Sequence, residues 1–152
     1  MSESQTRRAP TGHAVTVDLE VDHIHGDAFE IEIRGHHLTV DQPVNAGGAD
    51  LGPTPTELFA ASLAACVGFY AGRFLRRHGL PAGRFAVACE ATMSSELPAR
   101  VARITLRLRG LPELSEQRRA ALLAVVEHCT VHNSIRQAPQ VHIELDAAAA
   151  AA

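Results

Sequence analysis

At 152 residues, with 46% hydrophobic side chains, the chain is long enough to bury a core and short enough for one domain. A formal charge of −3 and a pI near 6.3 argue against a nucleic-acid partner. All 14 of its Lys-plus-Arg residues are Arg, which excludes Schiff-base lysine chemistry and a P-loop.

No apolar run reaches the ~18 residues of a membrane span, and Met1 to Pro10 lack the apolar core of a signal peptide. The expectation is a cytoplasmic protein without a membrane partner. There, thiols stay reduced, so its three cysteines read as buried, metal-bound or reactive. A flexible N-terminus over 1–12, one domain over 13–146 and a disordered Ala tail over 147–152 are expected.

In chain order, Val15, Val17, Leu19 and Val21 alternate as a strand. His23-Ile24-His25-Gly26-Asp27 reads as a hairpin turn, with Gly26 free to take positive φ. Phe29, Ile31 and Ile33 then face one way, with Glu30, Glu32 and Arg34 opposite. Leu38 and Val40 suggest a third strand, and Asp41 to Pro53 a loop.

Thr54-Pro55-Thr56-Glu57 has the form of a capping box with Pro at the first helical position. The helix should run from Pro55 to about His78, with Gly79 as its stop. Leu58 to Ala71 carry no charge, so this helix should be buried nearly all round. Ala60, Ala64, Gly68 and Gly72 form a small-residue ridge that close approach of another backbone would justify.

Strands follow at Phe85, Val87, Cys89 and Ala91, and at Ile104, Leu106 and Leu108 with Arg103, Arg107 and Arg109 outward. Cys89 alternates inward, which implies core filling. Ser115 caps a second helix to about His128, and Val141, Ile143 and Leu145 suggest a last strand. This order implies an antiparallel α+β fold.

Cys66 lies in the middle of the apolar helix, on the face of Phe59, Ser62, Phe69, Tyr70 and Arg73. Cys129 follows the second helix. On burial habits alone, either thiol could simply fill a core. The His128-Cys129…His132 cluster with His36-His37 prompts a zinc hypothesis, opposed by the absence of any C-x-x-C pair; no metal or cofactor is expected.

The stretch Gly52-Pro53-Thr54-Pro55-Thr56-Glu57-Leu58, leading through Ala60-Ala61-Ser62-Leu63-Ala64-Ala65 to Cys66, resembles the central-helix signature of the OsmC/Ohr family. Cys129-Thr130-Val131-His132-Asn133-Ser134-Ile135 is similar to that family's second cysteine motif, usually C-P-[VY]-S-N. The resemblance spans roughly Val15 to Leu145. It implies an OsmC-like fold: antiparallel sheets wrapped around a long central buried helix, in an intertwined homodimer with active sites at the subunit interface.

It also implies a thiol peroxidase acting on organic hydroperoxides. Cys66 would be oxidised to a sulfenic acid and Cys129 would resolve it to a disulfide, reduced by a lipoyl or thioredoxin type dithiol. Two departures stand out. The family's Arg in an early strand turn has no counterpart in His23 to Asp27, leaving Arg34, Arg73, His23, His25 or a partner-chain Arg to favour the thiolate. The family's Glu falls at Thr56, with Glu57 one position later and sufficiently explained as a cap. A second function class is therefore an OsmC-fold protein that binds a ligand or senses redox state without efficient peroxidase activity.

Overall fold

The computed structural model describes residues 14–146; the expected flexible start and the Ala tail lie outside them. The chain divides into two compact units, one up to Thr54 and the other from Pro55 onward.

In the first unit, strands β1 (Glu20–His25), β2 (Ala28–Ile33) and β3 (His36–Val40) form an antiparallel meander in that order. The strand expected from Val15 instead begins at Glu20 and runs on through His23-Ile24-His25, which the sequence placed in the turn. Only Gly26 and Asp27 remain to turn the chain, with Gly26 at φ +52°. The β2–β3 turn is equally tight: Arg34 (φ +51°) and Gly35 (φ +77°) are both left-handed, as a type I′ hairpin turn requires. Arg34 thus stands in a turn rather than on a strand.

The Asp41 to Pro53 loop is held from within. The buried Asp41 carboxylate accepts N–H bonds from Gln42 (2.7 Å), Ala49 (3.0 Å) and Leu51 (3.2 Å). Burial pushes its pKa up, but the N–H groups of Leu51, Gln42 and Ala49, with the nearby His25, pull it below the ordinary value. A Cβ on Gly48 would lie 1.9 Å from the Gln42 carbonyl, and one on Gly52 2.1 Å from that of Thr39, so neither position admits a side chain.

The second unit is built on α1 (Pro55–Arg77), starting at the Pro and ending at Gly79 (φ +63°) as the sequence implied. Its stop is a Schellman motif: Leu80 N–H donates to Leu75 O (2.9 Å) and Gly79 N–H to Arg76 O (3.2 Å). The 18-residue window within α1 has a mean hydropathy of 1.6, long and apolar enough for a membrane span, contrary to the run-length reading. Its packing against four other elements of the unit explains that apolarity as a core helix's.

Strands β4 (Ala86–Met93) and β5 (Val101–Arg109) form an antiparallel pair, with Arg103, Arg107 and Arg109 outward. The ridge of α1 lies against this hairpin. A Cβ on Gly68 would meet Val87 at 3.4 Å, one on Gly72 would meet the Phe85 ring at 3.7 Å, and Cys89 Sγ is 3.9 Å from Ala60 O. The glycines thus face side chains at contact distance, rather than the second backbone expected of them.

Helix α2 (Glu116–Val126) is capped by Ser115, whose Oγ accepts from Arg118 N. A short helix not foreseen from sequence, α3 (Thr130–Arg136), follows Cys129. The core of the unit joins Leu63, Val67, Phe74 and Leu75 of α1 to Leu122, Val126 and Cys129.

Three further expectations fail. Val141, Ile143 and Leu145 form no strand; they are 75%, 88% and 95% exposed, because no edge of the described chain pairs with them. Cys89 is exposed rather than core filling, although its sulfur leans on the ridge. And α1 is not buried all round: Phe59, Ser62, Ala65 and Phe69 make an uncovered stripe, Phe69 being 56% exposed.

Candidate active site

Cys66 is half-buried at the boundary between that open stripe and the core face of α1. Cys129 is fully buried, at the residue preceding α3. The two thiols lie close enough for Cys66 to perturb the ionisation of Cys129, and neither is in a disulfide. The fold thus brings together two cysteines from distant parts of the sequence, through the packing of α1 against α2 and α3.

Burial pushes the Cys129 thiol up, and its hydrogen bond with Cys66 and the charge that Cys66 would carry push the same way. Backbone N–H groups of His132 and Val131 at the start of α3 oppose this without overcoming it.

Beside the pair, the Tyr70 hydroxyl and Thr130 Oγ1 are hydrogen-bonded at 3.1 Å. Tyr70 stands one turn beyond Cys66 and Thr130 directly follows Cys129, so this bond ties the two cysteine-bearing segments together. Sequence reasoning put Tyr70 on the Cys66 face but could not see its partner, because α3 carries no long periodic signal.

Glu57 lies in the first turn of α1, about 13 Å along the axis before Cys66. Arg34, His23 and His25 belong to the first unit. There His23 Nε2–H donates to Gly26 O at 3.0 Å and its ring tilts against Phe29. Arg73 is half-buried, with its guanidinium 5.4 Å from the Phe69 ring centroid, rather than solvated with its neighbours. Among the described residues no three His, Cys, Asp or Glu side chains converge as a metal site, and His37 pairs instead with Glu30 at 3.4 Å.

A long helix against an antiparallel hairpin, with a dithiol where it meets the following helices, defines an α+β protein of the OsmC-like fold. A family model described as OsmC-like protein matches residues 47–144, and the chain belongs to that family. No curated protein matches it.

Solved structures agree on the fold. A protein named for osmotic stress induction and a detoxification response, from Psychrobacter arcticus 273-4, superposes with a TM-score of 0.72 at 20% identity, covering 82% of this chain and 91% of the other. An OsmC like protein from Mycoplasma pneumoniae gives 0.69 at 16% identity over 83% and 91%. An organic hydroperoxide resistance protein OsmC from Legionella pneumophila gives 0.59 at 20% identity over 82% and 92%.

Proposed function

We propose that the protein reduces organic hydroperoxides with the Cys66–Cys129 pair and is recycled by a cytoplasmic dithiol of the lipoyl or thioredoxin type. The observation that carries this reading is the approach of the two thiols, one half-buried beside an open apolar stripe and the other enclosed behind it. The Legionella pneumophila neighbour's name supports it at the level of a peroxide-resistance role.

In this reading the Cys66 thiolate attacks the terminal oxygen of ROOH. The O–O bond breaks, the alkoxide takes a proton and leaves as ROH, and Cys66 becomes a sulfenic acid. The sulfur of Cys129 then attacks that of Cys66, expelling hydroxide that is protonated to water, and a disulfide forms. The external dithiol returns both cysteines to thiols and becomes a disulfide itself. A second thiol close by captures the sulfenic acid before it is over-oxidised. Arg34, Arg73, His23, His25 and an Arg of a second copy remain the candidates for the cation that favours the thiolate, and Glu57 is proposed to act as a helix cap.

The working unit is proposed to be a homodimer. The uncovered stripe Phe59-Ser62-Ala65-Phe69 borders Cys66, and the alternating Val141, Ile143 and Leu145 lack a strand to pair with. A second copy would cover both.

One observation favours a second reading, that of a ligand-binding or redox-sensing OsmC-fold protein. Arg73, the candidate cation on the Cys66 helix face, is engaged over the Phe69 ring.

Peptide mapping after one equivalent of cumene hydroperoxide separates the two. The peroxidase reading expects a Cys66–Cys129 disulfide with Cys89 free, no turnover for Cys66→Ser, and one turnover followed by a trapped sulfenic acid for Cys129→Ser. No disulfide, or one through Cys89, would overturn the pairing. Reactivity of Cys66 no greater than that of free cysteine would favour the second reading.

A further inference from the structure

Near its C-terminal end α1 meets α2 around a cavity of about 430 Å³. Its α1 wall is formed by Tyr70, Arg73, Phe74 and Arg77 with His78 just after the helix, and its α2 wall by Ala121 and Val125. We propose that this cavity, which shares Tyr70 with the surroundings of the thiol pair, binds a carboxylate carried on a flat apolar body, an aromatic carboxylate.

The charge comes first. Two guanidiniums line the cavity and no carboxylate does. Among the described residues the ion pairs are His37–Glu30 and Arg107–Glu90, so neither Arg73 nor Arg77 has an acidic partner. Cations in a last helical turn offset the helix dipole, and Arg76 with Arg77 would serve that purpose. Arg73 lies a turn earlier and is half-buried, with its guanidinium beside the Phe69 ring, where the dipole does not call for it. The last carbonyls of α1 are already satisfied by the Schellman motif, so they do not need these guanidiniums as donors.

The apolar requirement comes from the floor. Phe74 is buried and stacks on His78 at 4.1 Å between centroids, with the rings 30° from parallel. His78 Nδ1–H donates to Phe74 O at 2.8 Å, which fixes the imidazole in that stack. Tyr70 is held by Thr130, and Val125 is 38% exposed. Fixed rings beside guanidiniums form a surface on which an aromatic plane stacks while its carboxylate takes a forked pair of N–H donors. The volume is ample for two fused rings and their carboxylate.

The chain reports on this site by itself, because Tyr70 is its only tyrosine and it has no tryptophan. The probe is 2-naphthoate, titrated into the reduced full-length protein at low salt, with quenching of Tyr70 emission and calorimetry as readouts. Saturable one-site binding is expected, weakened about tenfold or more when 2-naphthamide replaces it and by the Arg73→Gln/Arg77→Gln double variant. Val125→Glu, at a part-exposed position, should repel the anion without disturbing the core, and Arg107→Gln on β5 should change nothing. Equal affinity for the amide, unchanged binding by the double variant with Val125→Glu, or no binding at all would overturn the proposal. No peroxide enters the experiment, so its failure would leave the thiol reading standing, and the reverse.

Discussion

Cys129 is enclosed by its own unit, and that enclosure has a pH signature. Its folded pKa lies above the ordinary thiol value, so folding favours the protonated form. The stability this contributes is complete below the unfolded pKa and is lost as pH rises from there through the folded value. The reduced protein should therefore lose stability above about pH 9, and Cys129→Ala should flatten that alkaline limb. Urea unfolding from pH 8 to 10.5 under reductant measures it; an equally steep limb in the variant would refute the assignment. Arg34 presents the opposite case, a side chain in a backbone conformation that does not suit it. Asn tolerates left-handed φ, so Arg34→Asn should raise stability by about 0.5–1 kcal/mol in thermal unfolding. If Arg34 supplies the cation for Cys66, the same variant should react more slowly with peroxide, and unchanged reactivity would remove that role. The sequence named both cysteines through motifs. It could not show that Arg34 turns the chain, since an Arg-Gly pair carries a weaker turn signal than Asn-Gly.

Among the elements, the ridge of α1 was legible because it repeats every four residues, and glycine in a helix interior calls for an explanation. The β4–β5 hairpin supplies it. A single Cβ at Gly68 would already sit at contact distance from the Val87 side chain, so a larger side chain would have to displace it. Gly68→Leu should overpack this seam and cost about 1–3 kcal/mol, while Gly68→Ala should cost much less or gain from helix propensity. Denaturant unfolding of both variants distinguishes steric overpacking from a general intolerance of change. The unread elements share a cause. Helix α3 is one short stretch in which Val131 alone among its hydrophobics packs against the core and no residue is fully buried, so no periodicity announces it. The Asp41 loop is ordered by a carboxylate and backbone N–H groups, an interaction no hydrophobic pattern encodes.

At the scale of the whole molecule, the apolar patterns that failed as local readings have one feature in common. Val15 and Val17 are 87% and 62% exposed, Val141 to Leu145 are bare, and Phe59 and Phe69 stand open on α1. Alternation and an uncharged helix face both signal burial, but neither says whether the covering surface belongs to the same chain. An intramolecular reading of such patterns fails wherever a second copy is needed to complete them. The proposed homodimer thus makes a joint claim about assembly and chemistry, since the open stripe of α1 borders Cys66. Sedimentation velocity at micromolar concentration should give a dimer. Phe69→Glu would bury a carboxylate in the proposed interface and should shift the equilibrium toward monomer, with slower peroxide turnover. Phe69 is exposed within its own chain, so the variant should keep its secondary structure by circular dichroism, which separates loss of assembly from loss of fold. A wild-type protein that sediments as a monomer, or a Phe69→Glu variant that remains fully dimeric, would show that this stripe is not where two copies meet.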